Sequence, residues 1–326
     1  METRPAAKNT ETPSAPEARA FAPGHITGFF EIDDSDPDPL KRGSRGAGVS
    51  LAAGAVTDVR LSPADAPSLA VSLNDDARAG APVSRRVVEL FFEATGETPC
   101  AVEVAHRISV PEGAGFGSSG AGALSLALAL NAAAGAPLSA VEAARLAHRA
   151  EIDCRTGLGT VLACTTGGLE IRTRAGAPGS GEARSFATPA GLIVLCLVYG
   201  PLSTAASLAD PDLRRKINDA GASLGRRLLA DPTVTRFLAL SREFTEAAGL
   251  VTPRLRRLLD AFDRRNVTAA MTMFGEALFT VIEAGRRSSL DELVAAAKAG
   301  GASLFLSRVS PEGGSIIHDD SVIRNA

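Results

Sequence analysis

Tryptophan is absent from the 326 residues and tyrosine occurs once, so the chain has little with which to stack nucleic-acid bases. A surplus of either charge is missing too. Lys and Arg number 34 against 37 Asp and Glu, a net −3, which removes the electrostatic case for a nucleic acid or an anionic membrane as partner. The four cysteines (Cys100, Cys154, Cys164, Cys196) include no C-x-x-C; neither a zinc site nor a disulfide framework is indicated, and a reducing cytoplasm suits them. No apolar run reaches the ~18 residues that span a bilayer, and the first residues hold no apolar signal-peptide core. Gly-Lys-Ser/Thr occurs nowhere, which excludes the usual P-loop. What remains is ordinary globular composition, 45 % hydrophobic and 22 % charged, at a length that accommodates two domains.

The most informative stretch is Pro111-Glu-Gly-Ala-Gly-Phe-Gly-Ser-Ser-Gly-Ala121. Before it, residues 101–110 alternate Val102, Val104 and Ile108 with polar residues, as a half-buried strand does. After it comes an Ala/Leu run ending in Gly135, a helix over 119–134. The glycines therefore lead from a strand into a helix N-terminus, where unsatisfied N–H groups and the helix dipole attract phosphate. Gly115, Gly117 and Gly120 also match the dinucleotide fingerprint, but the acid at the right distance, Glu142, opens a helix rather than ending a strand. A tight turn with a small-residue helix behind it is the purely structural alternative. The paired hydroxyls of Ser118 and Ser119 favour phosphate and a magnesium ion brought with it.

Elsewhere the pattern assigns a disordered tail to 1–19 and a Pro-Gly hairpin to 20–30, with His25 at its turn. Residues 31–42, rich in Asp and Pro, read as an exposed loop. A glycine-rich loop, 43–48, then precedes a strand over 49–61; its Ser44 offers a hydroxyl and Arg45 a cation to a small acid. Helices follow at 82–94 and 140–153, the second opened by the capping box Ser139/Glu142 and carrying His148 and Glu151 on one face. Turns at 156–160 and 165–168 lead into strand 169–174, whose Arg172 either clamps a carboxylate or stands exposed beside Arg174. Residues 175–185 read as a hinge and 191–199 as a buried strand, followed by a helix cap at Ser203 or Thr204. From 212 to 300 the chain reads as mostly helical, the methionine-bearing 270–279 included, and a terminal pair of strands, 300–308 and 313–317, closes it.

The eleven residues 111–121 resemble the phosphate loop of the GHMP kinases, the superfamily of galactokinase, homoserine kinase and mevalonate kinase. Pro23–Phe30, Gly43–Gly48, Gly167–Arg172 and Ala270–Phe279 resemble one branch of it, the archaeal pantoate kinases. The resemblance implies an α/β (α+β) fold of two domains: a nucleotide-binding domain over 20–185 and an α+β domain over 186–326. It implies ATP as phosphoryl donor, magnesium as cofactor and (R)-pantoate as the small-molecule substrate, giving 4-phosphopantoate on the route to coenzyme A. The ATP-binding residues would be Pro111, Gly113, Gly115, Gly117, Ser118, Ser119, Gly120 and Ala121. Ser119 and Glu151 would hold the metal, and Ser44, His148, Arg172 and Thr204 the pantoate. It further implies a cytoplasmic enzyme that self-associates as a homodimer. One position departs from the pattern: Thr160 stands where these kinases usually carry the aspartate that activates the substrate hydroxyl. Threonine can orient a hydroxyl but not take its proton at neutral pH. Either positioning and metal suffice, or Asp153 substitutes from another face, or the chain is weakly active. A homoserine- or mevalonate-type kinase and a GHMP-fold binding protein remain the alternatives.

Overall fold

The computed structural model describes residues 17–98, 100–202 and 210–318. Two long antiparallel strands, β1 (Glu17–Asp33) and β2 (Gly43–Ser62), run through the whole molecule. With β3 (Ser68–Leu73), β4 (Asp76–Ala77), β5 (Ala101–Ile108), β6 (Leu169–Arg174), β7 (Glu182–Phe186) and β12 (Ser315–Ile317) they form an eight-stranded sheet. Its central path runs β12-β1-β2-β5-β3-β4, while β6 pairs with β2 and carries β7 outward. Only β3 and β5 pair in parallel among the described strands. A second, antiparallel sheet has the order β11-β8-β10-β9, from β8 (Leu192–Pro201), β9 (Ala270–Met271), β10 (Gly275–Glu283) and β11 (Ser303–Arg308).

Helices α1 (Pro82–Thr95), α2 (Ser118–Ala133) and α3 (Ala140–Cys154) cover the first sheet. Proline starts α1, and Gly96, left-handed at φ 67°, ends it. The Ala/Leu run of α2 is apolar all round because it is covered all round, by both long strands and by α3. The capping box forms on α3 as the spacing predicts: the amide of Glu142 donates to Ser139 Oγ, and the amide of Ser139 to Glu142 Oε2. Helix α4 (Thr160–Thr166) follows, then α5 (Pro211–Gly221) and α6 (Leu224–Ala230), which pack against β1, β2 and β6, and α7 (Val234–Ala248) and α8 (Pro253–Asp263), which pack with the second sheet. A 3-10 turn over Ala284–Leu290 leads into α9 (Asp291–Ala299).

Two hydrophobic clusters share the β1–β2 ribbon. Ala20, Ala22, Ala55 and Val59 lie among helices α1–α3. Ile26, Phe29, Phe30, Ala47 and Val49 lie in the other cluster, with Phe237, Phe244 and Phe279. The ribbon crosses from one cluster to the other around Pro23–Thr27, and a cavity opens there.

Several expectations need correction. Residues 17–19, expected in the tail, belong to strand β1; residues 1–16 lie outside the described part. The hairpin at 20–30 is one continuous strand: Pro23 and Gly24 shift the β1–β2 register without turning the chain. His25 is accordingly a buried strand residue. Likewise 43–48 is strand from its first glycine, and the presumed hinge at 175–185 feeds directly into β7. The expected helix at 270–279 is strand β9, a turn and strand β10. Eight of the nine β10 residues are buried, so the alternation that betrays a half-exposed strand is missing. The terminal strands form but do not pair: β11 joins β8, and β12 joins β1. The seven-residue α4 went unforeseen between two turns. No described helix is long and apolar enough to cross a membrane.

Candidate active site

The glycine loop follows β5 and enters α2. Gly113, Gly115 and Gly117 all adopt positive φ, at 68°, 83° and 64°, which other residues reach only with strain. Gly117 is the N-cap of α2, so the first amides of the helix are free to face an anion. The loop is fastened on both sides. The amide of His25 donates to Phe116 O at 2.9 Å, and that of Leu202 to Gly113 O at 3.2 Å. From the second sheet, Thr272 Oγ1 donates to Ala114 O at 2.9 Å. A side chain on Gly115 would meet Met273 O at 2.5 Å, so the loop and the 272–275 turn lie backbone to backbone.

Behind the loop stands Glu151 on α3, 3 % exposed. Its Oε1 accepts the hydroxyls of Ser119, at 2.5 Å, and of Thr156, at 2.6 Å. Burial pushes this carboxyl above the ordinary glutamate range, and the two hydroxyl donors pull it part of the way back. The other oxygen, Oε2, keeps open space beside it because Gly157 and Gly120 lack a Cβ: one would lie 2.0 Å from it and the other 3.2 Å. Helix α3 ends at Cys154, so Arg155 is a left-handed cap rather than a further turn of helix. Asp153 points away and pairs with Arg86 and Arg149.

A cavity of about 100 Å³ opens beside these groups. His25, Thr27 and Ser44 from the long strands, Gly115 and Gly117 from the loop, Thr156–Thr160, Met273 and Phe274 line it. Under its wall lies a charged cluster closed to solvent. Glu170 Oε1 accepts both Arg172 Nη1, at 2.5 Å, and His25 Nε2, at 2.9 Å. Glu170 Oε2 and Arg172 Nε have no partner. Gly48, opposite Glu170 in the β2–β6 register, makes the reach possible, since a Cβ on it would sit 2.3 Å from His25 Nε2.

Of the residues singled out in the sequence, the structure brings Ser119, Glu151, Thr160, Ser44 and the glycine loop together. Arg172 is buried rather than exposed, beneath Gly159 and Ser44, and it does not line the cavity. His148 is not on the cavity either: its Nε2 bonds the carbonyl of Arg42 at 2.9 Å and holds the 34–42 loop. Arg45 points outward to Glu31. Thr204 lies outside the described residues. Thr27, Thr156, Glu170 and Thr272 were missed. A continuous strand through 23–30 would have flagged Thr27, since residues two apart share a face.

Comparisons agree with this geometry. The N-terminal domain model of the GHMP kinases matches residues 83–168, which contain the glycine loop and Glu151. The chain is 34 % identical to a pantoate kinase of Thermococcus kodakarensis, over 81 % of this chain and 87 % of the relative. The chain belongs to the pantoate kinase branch of the GHMP kinases. A second pantoate kinase, from Methanospirillum hungatei, is 32 % identical over 80 % of this chain and 86 % of its own length. Among solved structures, a phosphotransferase related to the coenzyme A biosynthesis pathway superposes with a TM-score of 0.83 at 30 % identity, covering 92 % of this chain and 98 % of that one. A homoserine kinase of Cytophaga hutchinsonii shares the GHMP kinase fold at 14 % identity, with a TM-score of 0.69 over 96 % of this chain and all of the other.

Among the described residues no three His, Cys, Asp or Glu side chains converge on a metal site. Glu151 and Ser119 nevertheless fit a magnesium ion: they supply hard oxygen atoms, and the two missing Cβ atoms leave room at Oε2. The remaining coordination positions would fall to phosphate oxygens and water.

Proposed function

We propose that this chain is a pantoate kinase, transferring the γ-phosphoryl group of ATP to the hydroxyl of (R)-pantoate and releasing ADP and 4-phosphopantoate. One observation supports the reading most strongly. The glycine loop, the Ser119–Glu151–Thr156 cluster and a cavity sized for a small acid meet at one place, in a chain 34 % identical to a pantoate kinase.

In this reading the amides of 113–120 cradle the ATP phosphates and the α2 N-terminus adds its dipole. Ser119 and Glu151 hold magnesium, which when bound neutralises charge on the phosphate oxygens. Thr156 keeps the Glu151 carboxylate aimed at the loop. Ser44 and Thr160 orient the acceptor through hydrogen bonds from the cavity wall. Arg172, locked by Glu170, contributes positive charge from beneath, toward the substrate carboxylate. His148 acts at one remove, by fixing the loop that precedes Ser44. The enzyme would work in the cytoplasm, where its ATP is made.

The test is ADP release from magnesium-ATP with and without (R)-pantoate. Pantoate-dependent ADP and a phosphorylated acid are the expected outcome. ADP release that pantoate leaves unchanged, but that homoserine or mevalonate stimulates, would reassign the substrate.

A further inference from the structure

Phosphoryl transfer to an alcohol leaves a proton to be placed, and position 160 offers only a hydroxyl. Among the described residues lining the cavity, His25 is the only one with a titratable side chain. The nearby carboxylates are engaged: Glu151 holds two hydroxyls, and Asp153 is on the outer face of α3. His25 has the arrangement that a base requires. Glu170 Oε1 already accepts from Arg172, so as a carboxylate it accepts from His25 as well, and the histidine proton sits on Nε2. Nδ1 is then bare, with its lone pair 3.5 Å from Thr27 Oγ1. Thr27 lines the cavity beside His25. The result is a carboxylate–imidazole–hydroxyl chain that ends at the cavity.

We propose that His25 is the proton acceptor of the reaction, taking the alcohol proton at Nδ1 through the Thr27 hydroxyl while Glu170 holds the ring. This assignment rests on the phosphoryl-transfer reading above. In the step, the substrate oxygen forms its bond to the γ-phosphorus as the bond from that phosphorus to the β–γ bridging oxygen breaks. ADP leaves with that electron pair. The substrate proton moves to Thr27 Oγ1, whose own proton moves to Nδ1. The imidazolium formed is stabilised by Glu170 and later returns its proton to water. The charged groups that face His25 are Glu170 and Arg172, both on β6. Burial keeps the ring below the usual histidine range, and so neutral and able to accept at pH 7. The catalytic rate should therefore fall on the acid side as the ring protonates.

His25→Gln keeps an N–H for Glu170 and removes the accepting nitrogen. The expected result is a fall in kcat of about 10²–10⁴-fold, the usual worth of a general base, with KM values changed by less than about threefold. Adding Thr160→Asp, which places a carboxylate on the same cavity wall, should recover roughly tenfold or more of that loss. Thr27→Val, a gentler change at a half-buried position, should lower kcat in the same way and serves if His25→Gln does not fold. A rise in KM for pantoate alone, or no recovery with Thr160→Asp, would make His25 a strut for Arg172 and overturn the proposal. So would an unchanged kcat in Thr27→Val. A wild-type chain that phosphorylates none of pantoate, homoserine and mevalonate overturns the phosphotransfer reading and this base together. Turnover of any of them that survives both variants overturns the base alone.

Discussion

The hydroxyl of Thr272 donates to the carbonyl of Ala114, 158 residues away, at 2.9 Å. That bond ties the turn before β10 to the middle of the glycine loop, so the second sheet helps set the shape of that loop. Thr272→Val keeps the volume and strands a buried carbonyl, which costs about 1–3 kcal/mol. A lower urea midpoint is expected, together with a several-fold rise in KM for ATP and a smaller change in KM for pantoate.

Two glycine substitutions should separate activity from stability. Gly157→Ala would drive a methyl group to 2.0 Å from Glu151 Oε2. It should displace the carboxylate and raise the magnesium concentration needed for half-maximal rate, with little change in melting temperature. Gly96→Ala meets no atom within 4 Å but must hold φ 67°. It should cost about 1 kcal/mol of stability and leave kinetics untouched. Thermal melts and magnesium titrations of both variants check the contrast.

Glu151 carries a penalty that a neutral isostere removes. Its folded-state pKa is raised by burial, so the fold favours the protonated form and is weakened as pH rises through that value. Glu151→Gln should therefore melt higher than the wild type at pH 7 and lose that advantage below about pH 4. Its kcat should fall by roughly 10²-fold or more, through loss of an electrostatic group at the phosphates. A variant that is both less stable and fully active would remove Glu151 from the metal.

Two buried histidines make the fold acid-sensitive. His148 bonds the Arg42 carbonyl, and His106 lies between Thr57 and Ser84; burial lowers both to about 4. The unfolded chain takes up their protons below pH 6.5 while the folded chain does not, so stability is lost as pH falls from 6.5 toward 4. At pH 5 each accounts for about 2 kcal/mol. Urea titrations at pH 7.5 and 5 should show the drop, and His106→Gln should reduce it.

How much of this was legible in the chain depended on where the partners lie. The glycine loop is eleven contiguous residues, and its glycines state their conformational demand directly. The pairing of Glu151 with Ser119 comes from the resemblance to the GHMP kinases; taken alone, a glutamate on a helix reads as a solvated charge. His25–Glu170 and Thr272–Ala114 are cross-strand and cross-sheet contacts, fixed by register, and no local pattern encodes register. Strand β10 was misread because both of its faces are buried, and periodicity cannot then tell strand from helix. His25 was misread because Pro-Gly ordinarily signals a turn, while here the pair falls at a register shift inside a strand.

Strand β12 lies along β1, with Phe21 opposite Ser315 and Arg19 opposite Ile317. During synthesis β1 leaves the ribosome before the other described strands of its sheet, and β12 leaves after them. The edge of β1 that β12 covers therefore stays open, with unpaired amides and carbonyls, until β12 has emerged. Completion of the sheet is a late event, and a nascent chain halted before residue 315 would carry that edge exposed, ready to pair with another copy.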